Sequence, residues 1–162
     1  MNLIGQIINA MIAYYAGDVR RINHFLKVYG FAKAIGEMEG LDESTQEIIE
    51  IAALTHDIGI KNSEKKYNSS AGNYQQIEGP PEAKKLLAEL GIEPGVIDRV
   101  CWLIAHHHTY TDIQGIDYQI LVEADFLVNF YEDDMSIDSV HSAGGKMFKT
   151  LSGKAILNAI YS

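Results

Sequence analysis

Apolar residues recur at the three- and four-residue spacing of helices along almost the whole chain. No stretch alternates apolar and polar residues in the way that a half-buried strand does. There is no internal repeat and no linker, and 162 residues is an ordinary length for one domain. We therefore predict an all-α fold, a single-domain helical bundle of about 6–8 helices over residues 1–162.

Capping and breaking residues set the predicted boundaries. Asp18 is placed as an N-cap, Pro94 as the first residue of a helix, and Gly59 as a helix stop. Gly144 and Gly145 are expected to break or kink the penultimate helix. Helices are expected over residues 1–17, 18–40, 42–57, 82–91, 94–108, 117–131, 136–150 and 152–160.

One segment interrupts the helical pattern. Residues 60–79 are polar, contain Gly and Ser, and lack a clean period, and a short helix is expected only after Pro80 and Pro81. Long loops in compact domains commonly carry function. We therefore predict a long loop here, in which residues 61–79 form a lid or a specificity element.

Composition narrows the classes of function. The chain has 13 Lys and Arg against 22 Asp and Glu, a net charge of −9, so a nucleic-acid polymer is not an expected partner. The uncharged first segment lacks the basic start of a signal peptide and is too short to cross a bilayer. A single cysteine cannot form an intrachain disulfide. We expect a cytoplasmic protein with no membrane partner; a homodimer through the first or the last helix stays open.

Polar residues that continue apolar helix faces mark the candidate chemistry. His56 and Asp57 each continue an apolar face of one predicted helix. Asp125 interrupts an apolar stripe, and His24 lies on another. A buried carboxylate needs a cation, a metal or several donors, and residues 102–145 contain no Lys or Arg. Each residue alone also fits a structural role, as a cap, a salt-bridged Asp or a hydrogen-bonded core His.

Three consecutive histidines end the helix that Pro94 opens. Only His107 continues the apolar stripe of that helix, so it is expected to point inward, while His106 and His108 flank that face. Imidazoles and carboxylates that converge in an apolar bundle are what a divalent metal site requires. A nitrogen and oxygen set without Cys favours Fe, Mn, Co or Ni over a structural zinc site, with Zn and Mg left open.

The order of these residues resembles a known family. His24, then His56-Asp57 followed by Ile-Gly, then Asp125 after a hydrophobic run, resembles the HD-domain superfamily of metal-dependent phosphohydrolases. The resemblance covers a core of about residues 18–131, with helices flanking it on both sides. It implies an all-helical fold and one metal ion held by His24, His56, Asp57 and Asp125.

Two departures from the family pattern are visible. Relatives often carry a His for a second metal four residues before a glycine, which here is Gly79, and this chain has Gln75 at that position. A second site of the usual kind is therefore not expected, and an unusual one would draw on Gln76, Glu78, His106 or His107. Relatives also often have Lys directly after the glycine of the His-Asp motif, where this chain has Ile60 and then Lys61.

The resemblance implies hydrolysis of a small phosphorylated substrate, a nucleotide or another phosphomonoester. The metal would polarise a phosphoryl oxygen and lower the pKa of the water that attacks phosphorus. Asp57 is expected to orient that water, with Glu78 or Glu123 as candidate general bases. Contacts to the bound group are expected from Arg20, Lys61, Lys65 and His107. The alternatives are a metal-containing regulatory module that binds a nucleotide or phosphate without turnover, and a purely structural helical protein.

Overall fold

The structure is a computed structural model that describes residues 2–162. Within that range the chain forms nine α-helices and no strand, which confirms the all-α prediction. Met1, the first residue of the first predicted helix, lies outside the described residues. The helices are α1 (Leu3–Tyr14), α2 (Val19–Glu39), α3 (Glu43–Thr55), α4 (Ile60–Tyr67), α5 (Gly72–Glu89), α6 (Pro94–His106), α7 (Ile116–Glu132), α8 (Ile137–Met147) and α9 (Leu151–Ile160).

The longest helix, α2, packs against both α3 and α7, and these three helices surround the centre of the bundle. Helix α6 packs against both α3 and α5, while α9 contacts α2 and α7. One hydrophobic core runs through these contacts, built mainly from fully buried Ile, Leu, Val and Ala side chains. None of the described helices is both long and apolar enough to span a membrane.

Local chemistry explains where the helices begin and end. The Asp18 carboxylate accepts a hydrogen bond from the backbone N–H of Arg21, as expected of an N-cap. Gly40 ends α2 with a φ of 72°, in the left-handed region that glycine adopts without strain. Pro94 is the first residue of α6, where its missing N–H costs no intrahelical hydrogen bond.

The predicted loop over residues 60–79 is wrong. Helix α4 and the first part of α5 occupy most of this segment, and Pro80 and Pro81 lie inside α5. Each proline removes one intrahelical hydrogen bond, and α5 nevertheless continues through both and packs along α6. The buried stripe of α5 consists of residues four apart, namely Gln75, Gly79, Ala83 and Leu87. A pattern of apolar residues does not reveal this stripe, because its first two members are an amide and a glycine.

The predicted break at Gly144 and Gly145 is also wrong, because α8 continues through both residues to Met147. A Cβ atom on Gly144 would lie 2.4 Å from Cδ2 of Leu157. The glycine therefore allows α9 to approach α8 closely and does not end the helix.

Candidate metal centre

Four polar side chains meet between α2, α7 and the end of α3. His24 lies on α2, Asp125 lies on α7, and His56 and Asp57 follow the last residue of α3. Nε2 of His24 lies 3.2 Å from Nε2 of His56, 3.1 Å from Oδ2 of Asp57 and 3.2 Å from Oδ1 of Asp125. Nε2 of His56 lies 3.3 Å and 3.4 Å from the same two oxygens. The structure thus brings together all four residues expected to bind the metal.

The buried histidines are oriented by hydrogen bonds at the far side of each ring. Nδ1 of His56 donates to the carbonyl of Ala53 at 2.7 Å, and Nδ1 of His107 donates to the carbonyl of Ile104 at 2.7 Å. A carbonyl oxygen can only accept, so each Nδ1 carries a proton. When the ring gives up its other proton, Nε2 presents its lone pair towards the cluster, as a metal ligand must.

His24 is oriented in the same way by a carboxylate. Its Nδ1 lies 3.1 Å and 3.3 Å from the two carboxylate oxygens of Glu132, which accept the Nδ1 proton. Nζ of Lys27 lies 3.5 Å from the same carboxylate. A carboxylate behind a ligating histidine fixes the tautomer and makes the other ring nitrogen more basic.

The cluster concentrates negative charge in the protein interior. The side chains of Asp57 and Asp125 are 17% and 8% exposed, and no Lys or Arg in residues 2–162 pairs with either carboxylate. Burial opposes a charged ring, but hydrogen bonds to Asp125 and Asp57 outweigh it and raise the pKa of His24 to about 10 in the metal-free protein. Burial likewise opposes the ionised carboxyl of Asp57, but the charge on His56 holds its pKa well below the ordinary value. Protons or a metal ion must therefore balance the carboxylates.

The donor set fits a divalent metal ion. Adjacent ligands at about 2.1 Å from one octahedral ion are about 3 Å apart. The measured distances between donor atoms, 3.1 to 3.4 Å, are close to that separation. Two imidazole nitrogens and two carboxylate oxygens without sulfur are typical ligands of Fe, Mn, Co and Ni.

A second group of ligand atoms shares Asp57. Oδ1 of Asp57 lies 3.5 Å from Nε2 of His107, and a ring nitrogen of His108 completes a set whose atoms lie within 4.8 Å of one another. Nε2 of His107 is buried and has no hydrogen-bond partner within the described residues. Burial and the nearby His107 lower the pKa of His108 to about 4, so its ring is neutral. The two oxygens of Asp57 therefore face two different sets of imidazoles.

The position of His108 depends on α5. Its Nε2 donates to Oε1 of Gln75 at 2.9 Å, while Nε2 of Gln75 donates to the carbonyl of Ser70 at 2.6 Å. A Cβ atom on Gly72 would lie 2.8 Å from the ring of His108. Gln75, which stands where relatives carry a histidine, therefore orients a histidine of the second group.

Two tyrosines of α1 hold the turn that carries His56 and Asp57. The hydroxyl of Tyr15 donates to the carbonyl of Asp57 at 2.7 Å, and that of Tyr14 donates to the carbonyl of Ile58 at 3.3 Å. Burial and the charge of Asp57 keep the pKa of Tyr15 far above its ordinary value, so the hydroxyl remains a donor. Nothing in the spacing of the sequence indicates these contacts.

The cluster opens into a cavity of about 530 Å³. Arg20 and Arg21 both line this cavity, and Arg20 is exposed there. Arg21 is already paired with Asp18 and Glu64. The other lining residues are His24, Asp57, Ile60, Ser70, Gln75, His108, Asp125, Asn129, Glu132 and Asp133.

The candidate lysines and one candidate base lie away from the cavity lining. Nζ of Lys61 donates to the carbonyl of Tyr14 at 3.0 Å, and Lys65 is exposed on α4. Glu78 is buried and its carboxylate lies 2.6 Å from Nζ of Lys66. None of these three candidates is among the residues that line the cavity.

Glu123, the other candidate base, is fully buried in a different part of the fold. Its carboxylate accepts hydrogen bonds from the side chain of Gln119 at 2.7 Å and from the hydroxyl of Thr150 at 2.7 Å. It also accepts from the backbone N–H groups of Lys149 and Thr150, both at 3.1 Å. The structure therefore places Glu123 as an anchor for the connection between α8 and α9.

The sequence pattern was not used to predict a role for Asn129 and Glu132, although their spacing from Asp125 indicates one. They follow Asp125 at four and seven residues, so all three lie on one face of α7. Nδ2 of Asn129 donates to Oδ1 of Asp125 at 3.1 Å. A polar stripe that continues from a candidate ligand at helical spacing is therefore a usable indicator of supporting residues.

Comparison with known proteins agrees with this geometry. The chain is similar over 97% of its length to 84% of a solved chain described as a predicted HD superfamily hydrolase from an uncultured Thermotogales bacterium, with 20% identity and a TM-score of 0.69, which shows a shared fold. The comparison with curated proteins found no match. The sequence model of the HD domain matches residues 21–140, a range that contains every residue of the cluster. The chain belongs to the HD domain family.

Proposed function

We propose that this protein is a metal-dependent phosphohydrolase that acts on a small phosphorylated substrate, a nucleotide or another phosphomonoester. The observation that carries the proposal is the orientation of the imidazoles. His24, His56 and His107 each have Nδ1 engaged by an oxygen acceptor, and each aims Nε2 at the carboxylates. A purely structural cluster has no need to aim three ring nitrogens at two largely buried carboxylates.

His24, His56, Asp57 and Asp125 would hold the metal, and Fe, Mn, Co and Ni suit them best, with Zn and Mg left open. A bound divalent ion polarises a phosphoryl oxygen and lowers the pKa of water. In the hydrolysis, the oxygen of water would bond to phosphorus, the bond between phosphorus and the ester oxygen would break, and one proton of the water would pass to that ester oxygen, which gives phosphate and an alcohol.

Other residues of the chain hold the reacting groups in place. Arg20, exposed at the cavity, supplies positive charge for the phosphoryl oxygens. Asn129 keeps the Asp125 carboxylate in position through its hydrogen bond, and Tyr15 does the same for the backbone of Asp57. No side chain beyond the ligands is assigned as general base, because both candidates, Glu78 and Glu123, lie outside the cavity lining.

We extend the proposal to a second ion at the group of Asp57, His107 and His108. The support is the buried Nε2 of His107, which has no hydrogen-bond partner in the described part of the chain. A buried polar atom without a partner destabilises a protein unless something binds it. Asp57 would then contribute one oxygen to each ion.

The experiment is a turnover assay. Protein stripped of metal is supplied separately with Mn²⁺, Fe²⁺, Co²⁺, Ni²⁺ and Mg²⁺ and assayed on p-nitrophenyl phosphate and on a panel of phosphomonoesters. We expect hydrolysis that Asp57→Ala abolishes and that Asp98→Ala, an exposed change on α6, retains. Metal binding without any turnover that depends on Asp57 would instead support the regulatory binding module and refute the enzyme.

A further inference from the structure

The wall of the cavity is polar, which restricts the organic part of the substrate. Ile60 is the one aliphatic side chain of the lining, and no Phe, Tyr or Trp of residues 2–162 takes part in it. Sites that bind a nucleobase usually provide an aromatic or apolar surface on which the ring stacks. The only flat rings of the lining belong to His24 and His108, both members of the ligand groups.

One face of α7 carries hydrogen-bond acceptors from the metal centre to the mouth of the cavity. Asn129, Glu132 and Asp133 follow Asp125 at four, seven and eight residues and line the cavity together. Asp133 is exposed, and its carboxylate has no partner within residues 2–162. The side-chain oxygen of Asn129 is equally without a partner there, because its hydrogen bond to Asp125 uses the amide nitrogen.

The two sides of the cavity, one formed by the start of α2 and the other by the end of α7, differ in charge. The positive charge of the lining comes from Arg20 and Arg21 at the start of α2, whereas the α7 side carries Glu132 and Asp133. Carboxylates repel a second phosphate group, and they accept hydrogen bonds from hydroxyl groups. A ligand with its phosphate at the cluster and Arg20 therefore places its organic part against acceptors.

We propose that the substrate is a monophosphate ester of a hydroxyl-rich alcohol, such as a sugar or another polyol, and not a nucleotide or a polyphosphate. This inference rests on the proposed function, since it takes the phosphate to lie at the metal centre. The hydroxyl groups of the substrate would donate to Asp133 and to the side-chain oxygen of Asn129. The lining residues would offer a nucleobase no Phe, Tyr or Trp ring on which to stack.

Matched ligands separate the contributions of the hydroxyl groups and of the base. The probes are phosphonates, because their carbon–phosphorus bond is not hydrolysed. Three are titrated into the Mn²⁺-loaded protein by calorimetry. They are the phosphonate analogue of ribose 5-phosphate, that of AMP, and an alkyl phosphonate whose chain is as long as that of the ribose analogue. We expect the ribose analogue to bind about tenfold tighter than the alkyl one, from two or more hydrogen bonds. We expect the adenosine analogue to bind no tighter than the ribose analogue.

Asp133→Ala should remove most of the preference for ribose over alkyl, while Asp98→Ala on α6 should preserve it. Tighter binding of the adenosine analogue, or equal binding of the ribose and alkyl analogues, would overturn the inference. So would an unchanged preference in Asp133→Ala. These outcomes are independent of the proposed function, which fails if neither p-nitrophenyl phosphate nor any phosphomonoester of the panel is hydrolysed with any metal. If none of the three phosphonates binds, the inference fails as well.

Discussion

Nδ1 of His24 lies 3.1 Å from a carboxylate oxygen of Glu132, which is 108 residues further along the chain. The contact ties α2 to the end of α7 and fixes the ring so that Nε2 meets Asp57 and Asp125. Under the proposed function, Glu132 would therefore be a positioning residue that acts on the metal through His24.

Replacing Glu132 by Gln should weaken binding of Mn²⁺ by about 10–100-fold, because the neutral amide no longer raises the basicity of the His24 ring. The measurement is the Kd for Mn²⁺ by calorimetry at fixed pH. Lys27→Met, which removes the other contact of the Glu132 carboxylate, is the control and should change the Kd little. Unchanged affinity in Glu132→Gln would refute the positioning role.

His107→Ala should remove one metal ion per chain and leave the ion held by His24 and His56. The reason is that His107 contacts only one oxygen of Asp57, and the other oxygen faces the first pair of histidines. His106→Ala is the matched control, because His106 lies at the surface end of α6 and donates to the carbonyl of Trp102 at 2.7 Å. Metal stoichiometry by mass spectrometry distinguishes the two variants. Equal stoichiometry in His107→Ala and wild type would argue against the second ion.

The metal-free protein should lose stability as the pH rises. The pKa of His24 is about 10 in the folded protein, against an ordinary value of 6.5. A raised pKa stabilises the fold fully below pH 6.5, and this contribution is lost as the pH passes through about 10. Urea unfolding in EDTA should therefore give a lower free energy of unfolding at pH 10 than at pH 7, with a smaller difference in His24→Asn. His141→Asn, at an exposed histidine, should keep the wild-type difference, whereas a wild-type stability that does not fall would contradict the prediction.

Glu123→Gln should lower stability and leave metal binding intact. The substitution replaces an acceptor of four hydrogen bonds with an amide that cannot accept all of them, a loss of roughly 1–3 kcal/mol. Urea unfolding measures the loss, and metal content measures the site. A variant of unchanged stability that no longer hydrolyses p-nitrophenyl phosphate would restore Glu123 as a general base.

The sequence predicted the first candidate metal group because its members continue apolar stripes. His24, His56, Asp57 and Asp125 each occupy a helical position that the neighbouring residues mark as buried. The second group was harder to predict, because His108 lies beyond the last residue of α6, outside any periodic stripe. The structure places it beside Gln75 and Gly72 of α5.

Helix α4 and the start of α5 were not predicted because their buried positions, like that of His108, do not form a periodic apolar stripe. The buried face of α5 begins with Gln75 and Gly79, which a hydrophobicity pattern treats as polar or as a break. Both glycines are needed for close packing: a Cβ atom on Gly59 would be 2.6 Å from the Gly79 nitrogen, and a Cβ atom on Gly79 would be 2.6 Å from Cγ2 of Ile104. Such tertiary contacts override local propensity, and they leave no signal in the spacing of apolar residues.

The most direct test is the metal content of protein that has been reconstituted with Mn²⁺ and freed of unbound ions by gel filtration. We predict at least one Mn²⁺ per chain in the wild type and in Asp98→Ala. The triple variant His56→Ala, His107→Ala, Asp125→Ala should retain none while its circular dichroism stays helical. A folded wild-type protein that binds no Mn²⁺, Fe²⁺, Co²⁺ or Ni²⁺ would contradict the metal centre and the function built on it.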